Sequence, residues 1–195
     1  GWIPEHLNYY RPKKVPLDFT ASHSNTASQG SLDEKGEGGG TVLATNPESL
    51  ISEFSRARED IKKSAFPKIP LFITEWGPSY SPRYPIHDSY VCAPFILEKV
   101  RQCERVVDGI SYWAFTDQFE EPGPPNEPFH GGFGLMNVDG LKKPAFYAYS
   151  FLARLFQKEI PTGNDRLIVT TKGDSYRVLA WDYSPPKQDV PNWPF

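Results

Sequence analysis

No stretch of this 195-residue chain is long and apolar enough to cross a bilayer, since a spanning helix needs roughly 18 consecutive apolar residues. Charge of one sign is missing too. Lys and Arg number 21 against 24 Asp and Glu, a net charge of -3, so nothing electrostatic points to nucleic acid or an anionic membrane surface. Cysteine is scarce: Cys92 and Cys103 fall on one expected helix, about three turns apart, beyond the reach of a disulfide. Both are read as free, packed thiols, and they do not fix a compartment. There is no Asn-X-Ser/Thr acceptor and no signal-like segment. Methionine occurs once, at Met136, and residue 1 is Gly, so the expectation is a processed form or part of a longer protein. His23, His87 and His130 match no metal-ligand spacing and read as ordinary hydrogen-bonding histidines; no metal or organic cofactor is expected.

What is abundant is proline, at 20 residues, and aromatics, with 5 Trp, 10 Tyr and 13 Phe. The prolines imply long ordered loops, and the aromatics imply a large core or platforms for flat ligands such as sugar rings. At 38% hydrophobic the chain reads as globular, one domain or one domain with a small appendage.

One run stands out. Leu71-Phe72-Ile73-Thr74 reads as a buried strand of a parallel sheet, and Glu75-Trp76 closes it. An unpaired buried charge is costly, so this carboxylate needs a structural partner or a chemical task. Ligands of parallel α/β folds bind at the carboxyl ends of strands. Upstream, Gly1 to Pro16 reads as irregular and Val15 to His23 as a short strand. Ser24 to Thr45 reads as a polar loop, and Pro47 to Ser64 as an amphipathic helix after an Asn46 cap. Downstream, Asp88 can cap a helix over Ser89 to Val106, Ile110 to Thr116 is a strand, and a long loop spans Asp117 to Gly132. Lys143-Pro144 opens a last helix to about Gln157. Alternation then replaces helical spacing in Arg166 to Lys172 and Ser175 to Tyr183, an antiparallel hairpin around Gly173-Asp174.

The order β-α-β-α-β-α does not close a domain, because three parallel strands leave two open edges. An eight-stranded βα barrel takes about 250 residues. The chain therefore reads as the carboxyl-terminal part of a larger barrel running into a β module. Its strand ends gather Glu75-Trp76, Trp113 to Asp117 and Glu120-Glu121. Glu75 suits a nucleophile or a general acid/base, the pair used in glycoside hydrolysis. Trp76 and Trp113 suit sugar stacking, and Glu120 and Glu121 suit hydroxyl recognition.

A series of blocks, in order, carries a resemblance. They are Ile73-Thr74-Glu75-Trp76 with Ser79-Tyr80-Ser81-Pro82 and Pro85-Ile86-His87-Asp88, then Ser111 to Glu121, then Phe129-His130-Gly131-Gly132-Phe133-Gly134-Leu135, then Lys143-Pro144-Ala145-Phe146-Tyr147. The chain resembles glycoside hydrolase family 39, its β-xylosidases above all, over residues 15 to 183. The resemblance implies an α/β fold: a partial (β/α)8 TIM barrel, its last three βα units in residues 1–160, followed by antiparallel strands of an accessory β-sandwich in residues 161–195. It implies a retaining, exo-acting β-xylosidase releasing xylose from non-reducing ends, with Glu75 as nucleophile. His23, Trp113, Glu120 and Glu121 would bind the sugar. The family's His-X-Tyr block is here His23-Ser24-Asn25, which leaves the glycone preference open. The family's acid/base lies in an Asn-Glu-Pro block at an earlier strand. Asn126-Glu127-Pro128 has those residues in a loop after the last strand, a coincidental match, so the acid/base is expected upstream of Gly1.

The partner expected is a xylo-oligosaccharide or another glycoside, with the amino-terminal half of the barrel required and a homo-oligomer left open. Two alternatives stand beside this reading. One is a non-catalytic carbohydrate-binding protein on the same scaffold. The other is a sister glycosidase such as an α-L-iduronidase, which an acidic sugar's need for nearby cations places lower, with Arg83 the nearest one to the motif blocks.

Overall fold

A computed structural model describes residues 2–25, 27–29, 42–43, 49–79, 82–118, 123, 125 and 127–185. Its first element is a helix, α1 (Trp2–Tyr10). The prolines had marked this segment as irregular. Pro4, however, lies in the first turn, where backbone N–H groups have no helical partner to lose. Leu7 drops from this helix into the core.

A parallel sheet follows, in the order β1 (Thr20–Asn25), β4 (Leu71–Gly77), β5 (Gly109–Tyr112). A small antiparallel pair, β2 (Ala27–Gln29) and β3 (Val42–Leu43), lies within what had read as loop. The crossovers are α2 (Ser49–Lys63) and α3 (Cys92–Cys103). Helix α2 buries Leu50, Phe54 and Ile61, one face at helical spacing. Its Arg58 ties the sheet's amino end together. The guanidinium donates to the Val106 carbonyl at 2.7 Å and pairs with Asp108, whose carboxylate also accepts from the Leu71 amide at 2.8 Å. Helix α3 buries Cys92, Phe95, Ile96 and Cys103, and both cysteines are free, as their spacing required. Pro144 opens α4 (Pro144–Leu152) at the position where proline suits a helix best.

The chain ends in an antiparallel sheet of β6 (Lys158–Ile160), β7 (Leu167–Lys172) and β8 (Ser175–Ala180). The hairpin β7–β8 turns at Gly173, whose φ of 58° suits glycine. Strand β6 is too short to show a period, and the sequence did not signal it. This sheet shares the α/β core: Ile168, Leu179 and Tyr183 join Phe95 and Trp76 in one buried cluster. Glu98 of α3 accepts from the Trp181 indole at 2.8 Å and pairs with Arg166 at 3.2 Å. The fold class, α/β, is as the sequence indicated, with helices crossing between parallel strands.

Candidate active site

Strand β4 carries an irregularity that decides which way Glu75 faces. Against β1, Ala21 pairs with Phe72 and Ser22 with Ile73; the next pair is His23 with Glu75. Against β5, Ile73 pairs with Ile110, and the next pair is Trp76 with Tyr112. Between these points β4 holds one residue more than either neighbour, a β-bulge at Thr74. Regular alternation would send Glu75 to the side of Leu71 and Ile73, both buried in the core, and Trp76 to the opposite side. The bulge exchanges them.

Trp76 is consequently 0% exposed, with its ring 6.1 Å from Phe95 and 5.7 Å from Tyr112. The expectation that Trp76 stacks on sugar is overturned: it is a core residue. The Glu75 side chain keeps 30% of its surface exposed and faces His23, whose Nδ1 is 3.5 Å from Glu75 Oε2. Trp113 follows the last residue of β5, and its amide donates to the Trp76 carbonyl at 3.0 Å. Tyr112 lies on the core side, against Trp76, so the next residue falls on the face of Glu75. Trp113 is 37% exposed, as a stacking surface needs. Three of the expected site residues, His23, Glu75 and Trp113, thus line one face at the carboxyl ends of adjacent parallel strands. The other two, Glu120 and Glu121, lie outside the described residues. Glu127 is exposed in its loop. Among the described residues no group of three or more His, Cys, Asp or Glu is placed to hold a metal.

Behind this face is an ionic cluster that the sequence did not reveal. Lys143 is fully buried, with Nζ 2.6 Å from Asp88 Oδ1, 2.6 Å from Asp117 Oδ2 and 2.9 Å from the Gly132 carbonyl. Asp88 Oδ2 accepts from the Gly131 amide and Asp117 Oδ1 from the Gly134 amide, each at 2.5 Å. Asp88 had read as the cap of the following helix. It lies four residues ahead of α3 and serves the cluster instead. His87 is buried beside it, with Nδ1 2.6 Å from the Gly131 carbonyl and Nε2 3.2 Å from that of Ser79. Burial lowers the His87 pKa, against the pull of those two carbonyls. Gly131 has a φ of 82°, and a Cβ there would sit 2.5 Å from the Arg83 carbonyl carbon, so only glycine fits. The signal for this cluster was present only as Asp88, Asp117 and Lys143, three charges far apart in sequence, each with a local reading of its own.

The model of the glycosyl hydrolases family 39 matches residues 1–184. The chain belongs to that family.

Within family 39, the chain is similar to a β-xylosidase of Geobacillus stearothermophilus, 32% identical over 181 residues, which are 93% of this chain and 36% of that protein. Among solved structures it superposes on the family 39 enzyme of Xanthomonas axonopodis pv. citri with a TM-score of 0.90 and 43% identity, covering 97% of this chain and 37% of that one. It superposes equally on a monomeric β-xylosidase of Caulobacter crescentus CB15, with a TM-score of 0.90 and 41% identity, over 97% of this chain and 38% of that one. The chain therefore spans somewhat over a third of the length of these family 39 relatives.

Proposed function

We propose that this chain is the carboxyl-terminal part of a retaining, exo-acting β-xylosidase. Residues 20–157 carry the last three βα units of a (β/α)8 barrel, and the antiparallel strands from β6 onward begin an accessory β-sandwich, three residues earlier than the boundary read from the sequence. The parallel register supports the barrel, as do the outer sides of β1 and β5, which have no strand partner among the described residues, since ring closure is what removes such edges. Relatives named β-xylosidase, matched over most of this chain, support the activity.

Glu75 is the nucleophile in this reading. It attacks the anomeric carbon while a carboxylic acid from outside these 195 residues protonates the departing oxygen, giving a glycosyl-enzyme. The same outside group then takes a proton from water, the water attacks the anomeric carbon, and the Glu75 carboxylate departs. Such a pair of carboxyl groups stands about 5 Å apart. Trp113 stacks on the sugar, His23 orients Glu75, and Glu120 and Glu121 hold sugar hydroxyls. The observation that carries the reading is the bulge: it turns Glu75 out of the core and toward His23 at a strand end.

The test is Glu75→Ala in the full-length enzyme with 4-nitrophenyl β-xyloside. Turnover should fall on the order of 10⁴-fold. Sodium azide should restore it and yield the α-xylosyl azide, because azide takes the place of the missing carboxylate on the same face. Turnover within tenfold of wild type, or a rescued product of β configuration, would contradict the assignment.

A further inference from the structure

The Lys143 cluster lies outside the reacting face, yet it joins the segments that leave β4 and β5. Asp88 follows β4, Asp117 follows β5, Gly131 to Gly134 return from the loop beyond β5, and Lys143 immediately precedes α4. The stretch from Trp113 to Asp117 is held to this return segment by a short ladder. Ala114 donates to the Phe133 carbonyl at 3.1 Å and accepts from the Leu135 amide at 2.9 Å. Met136 donates to the Phe115 carbonyl at 3.1 Å and accepts from the Asp117 amide at 3.0 Å. The ladder fixes these two segments to each other. Backbone bonds tie the return segment to the start of α4 as well, the Lys143 amide donating to the Leu135 carbonyl at 2.9 Å, and the cluster adds the tie from Asp117 through the Lys143 side chain to Asp88.

Burying one ammonium between two carboxylates gains little net stability, because desolvation offsets most of the attraction; an apolar trio of similar volume is often as stable. What an apolar trio lacks is direction. The three short contacts of Lys143 Nζ fix where Asp117 lies, and Asp117 lies four residues beyond Trp113.

We propose that Lys143 is a positioning residue for Trp113, acting through the Asp88–Lys143–Asp117 bracket. The proposal rests on the reading above that Trp113 stacks on the sugar. Loss of the bracket loosens the wall that meets the substrate and leaves Glu75 in place, so it acts on KM more than on kcat.

The experiment compares four variants of the full-length enzyme with 4-nitrophenyl β-xyloside, reading KM, kcat and the thermal midpoint. Lys143→Met strands two buried carboxylates, so its midpoint should fall; its KM should rise about tenfold while kcat changes less than about threefold. Lys143→Met with Asp88→Asn and Asp117→Asn removes the stranded charge and keeps acceptors for the Gly131 and Gly134 amides. Its midpoint should recover and its KM should stay raised. A KM that returns to wild type along with the midpoint would show a merely structural role and overturn the proposal. Trp113→Ala combined with Lys143→Met should be no worse than the worse single variant, since one acts through the other; additive KM effects would overturn the proposal too. If Trp113→Ala alone leaves KM unchanged, the stacking role itself fails. If Trp113→Ala raises KM and Lys143→Met does not, the bracket alone fails.

Discussion

Glu75 and His23 are cross-strand partners only because Thr74 is looped out between them and the core pairs below. Their side chains meet at 3.5 Å on the open face of the sheet. The His23 side chain is 62% exposed, so this contact adds little to folding, while a partner beside the carboxylate proposed as nucleophile can matter greatly to rate. His23→Ala should leave the unfolding midpoint nearly unchanged and lower kcat/KM by about tenfold, the scale of losing one polar neighbour of a charged group. Parallel denaturation and kinetic measurements check both halves.

The two tryptophans should separate cleanly. Trp76 is buried against Phe95 and Tyr112, so Trp76→Ala should cost about 3–5 kcal/mol of stability through the cavity it leaves. Trp76→Phe should keep KM near wild type. Trp113→Ala should leave stability almost intact and raise KM about tenfold, the worth of one stacked ring. Urea midpoints set beside Michaelis constants distinguish them.

Much of this was legible in the sequence. The helical spacing of Leu50, Phe54 and Ile61, and of Cys92, Phe95, Ile96 and Cys103, located both crossover helices, because a buried stripe leaves a period of its own. Glu75 was legible as a carboxylate at a strand end. The direction of Glu75 was not, because a bulge is a property of two neighbouring strands and has no pattern within one. The same blind spot put Trp76 on the wrong face. The expected strand from Ile110 stops at Tyr112, where the chain leaves β4 and pairs with 133–136 instead, a partner too distant for local pattern to show. Lys143 was read for its neighbour Pro144, a correct guide to where α4 begins and silent about the buried ammonium.

Acid should weaken the amino end of the sheet through Asp108. The Leu71 amide, and then Arg58, hold its carboxyl below the usual carboxylate range. A pKa lowered on folding contributes stability that is present above the unfolded value, near 3.9, and lost as pH falls through the folded one. Asp108→Ala should therefore lower stability by about 1 kcal/mol at pH 7, no more because the side chain is half exposed, with the gap from wild type closing below about pH 4. Thermal melts of both proteins between pH 3 and pH 7 check the closing gap.

The thiols should be inert. Burial pushes Cys92 up to about 12, and likewise Cys103, so neither forms thiolate at neutral pH. Iodoacetamide should label neither in the native protein and both after unfolding, read peptide by peptide in a mass spectrometer. Native labelling of either would contradict the packing of α3.

If Glu75 is the nucleophile, it forms a covalent bond to the sugar, and that bond can be trapped. The full-length enzyme is incubated with an activated 2-deoxy-2-fluoro-β-xyloside, which forms the intermediate and hydrolyses slowly, and its peptides are then sequenced by mass spectrometry. One fluoroxylosyl group is expected, on Glu75. An adduct on any other residue, or inactivation with Glu75 unmodified, would contradict that role.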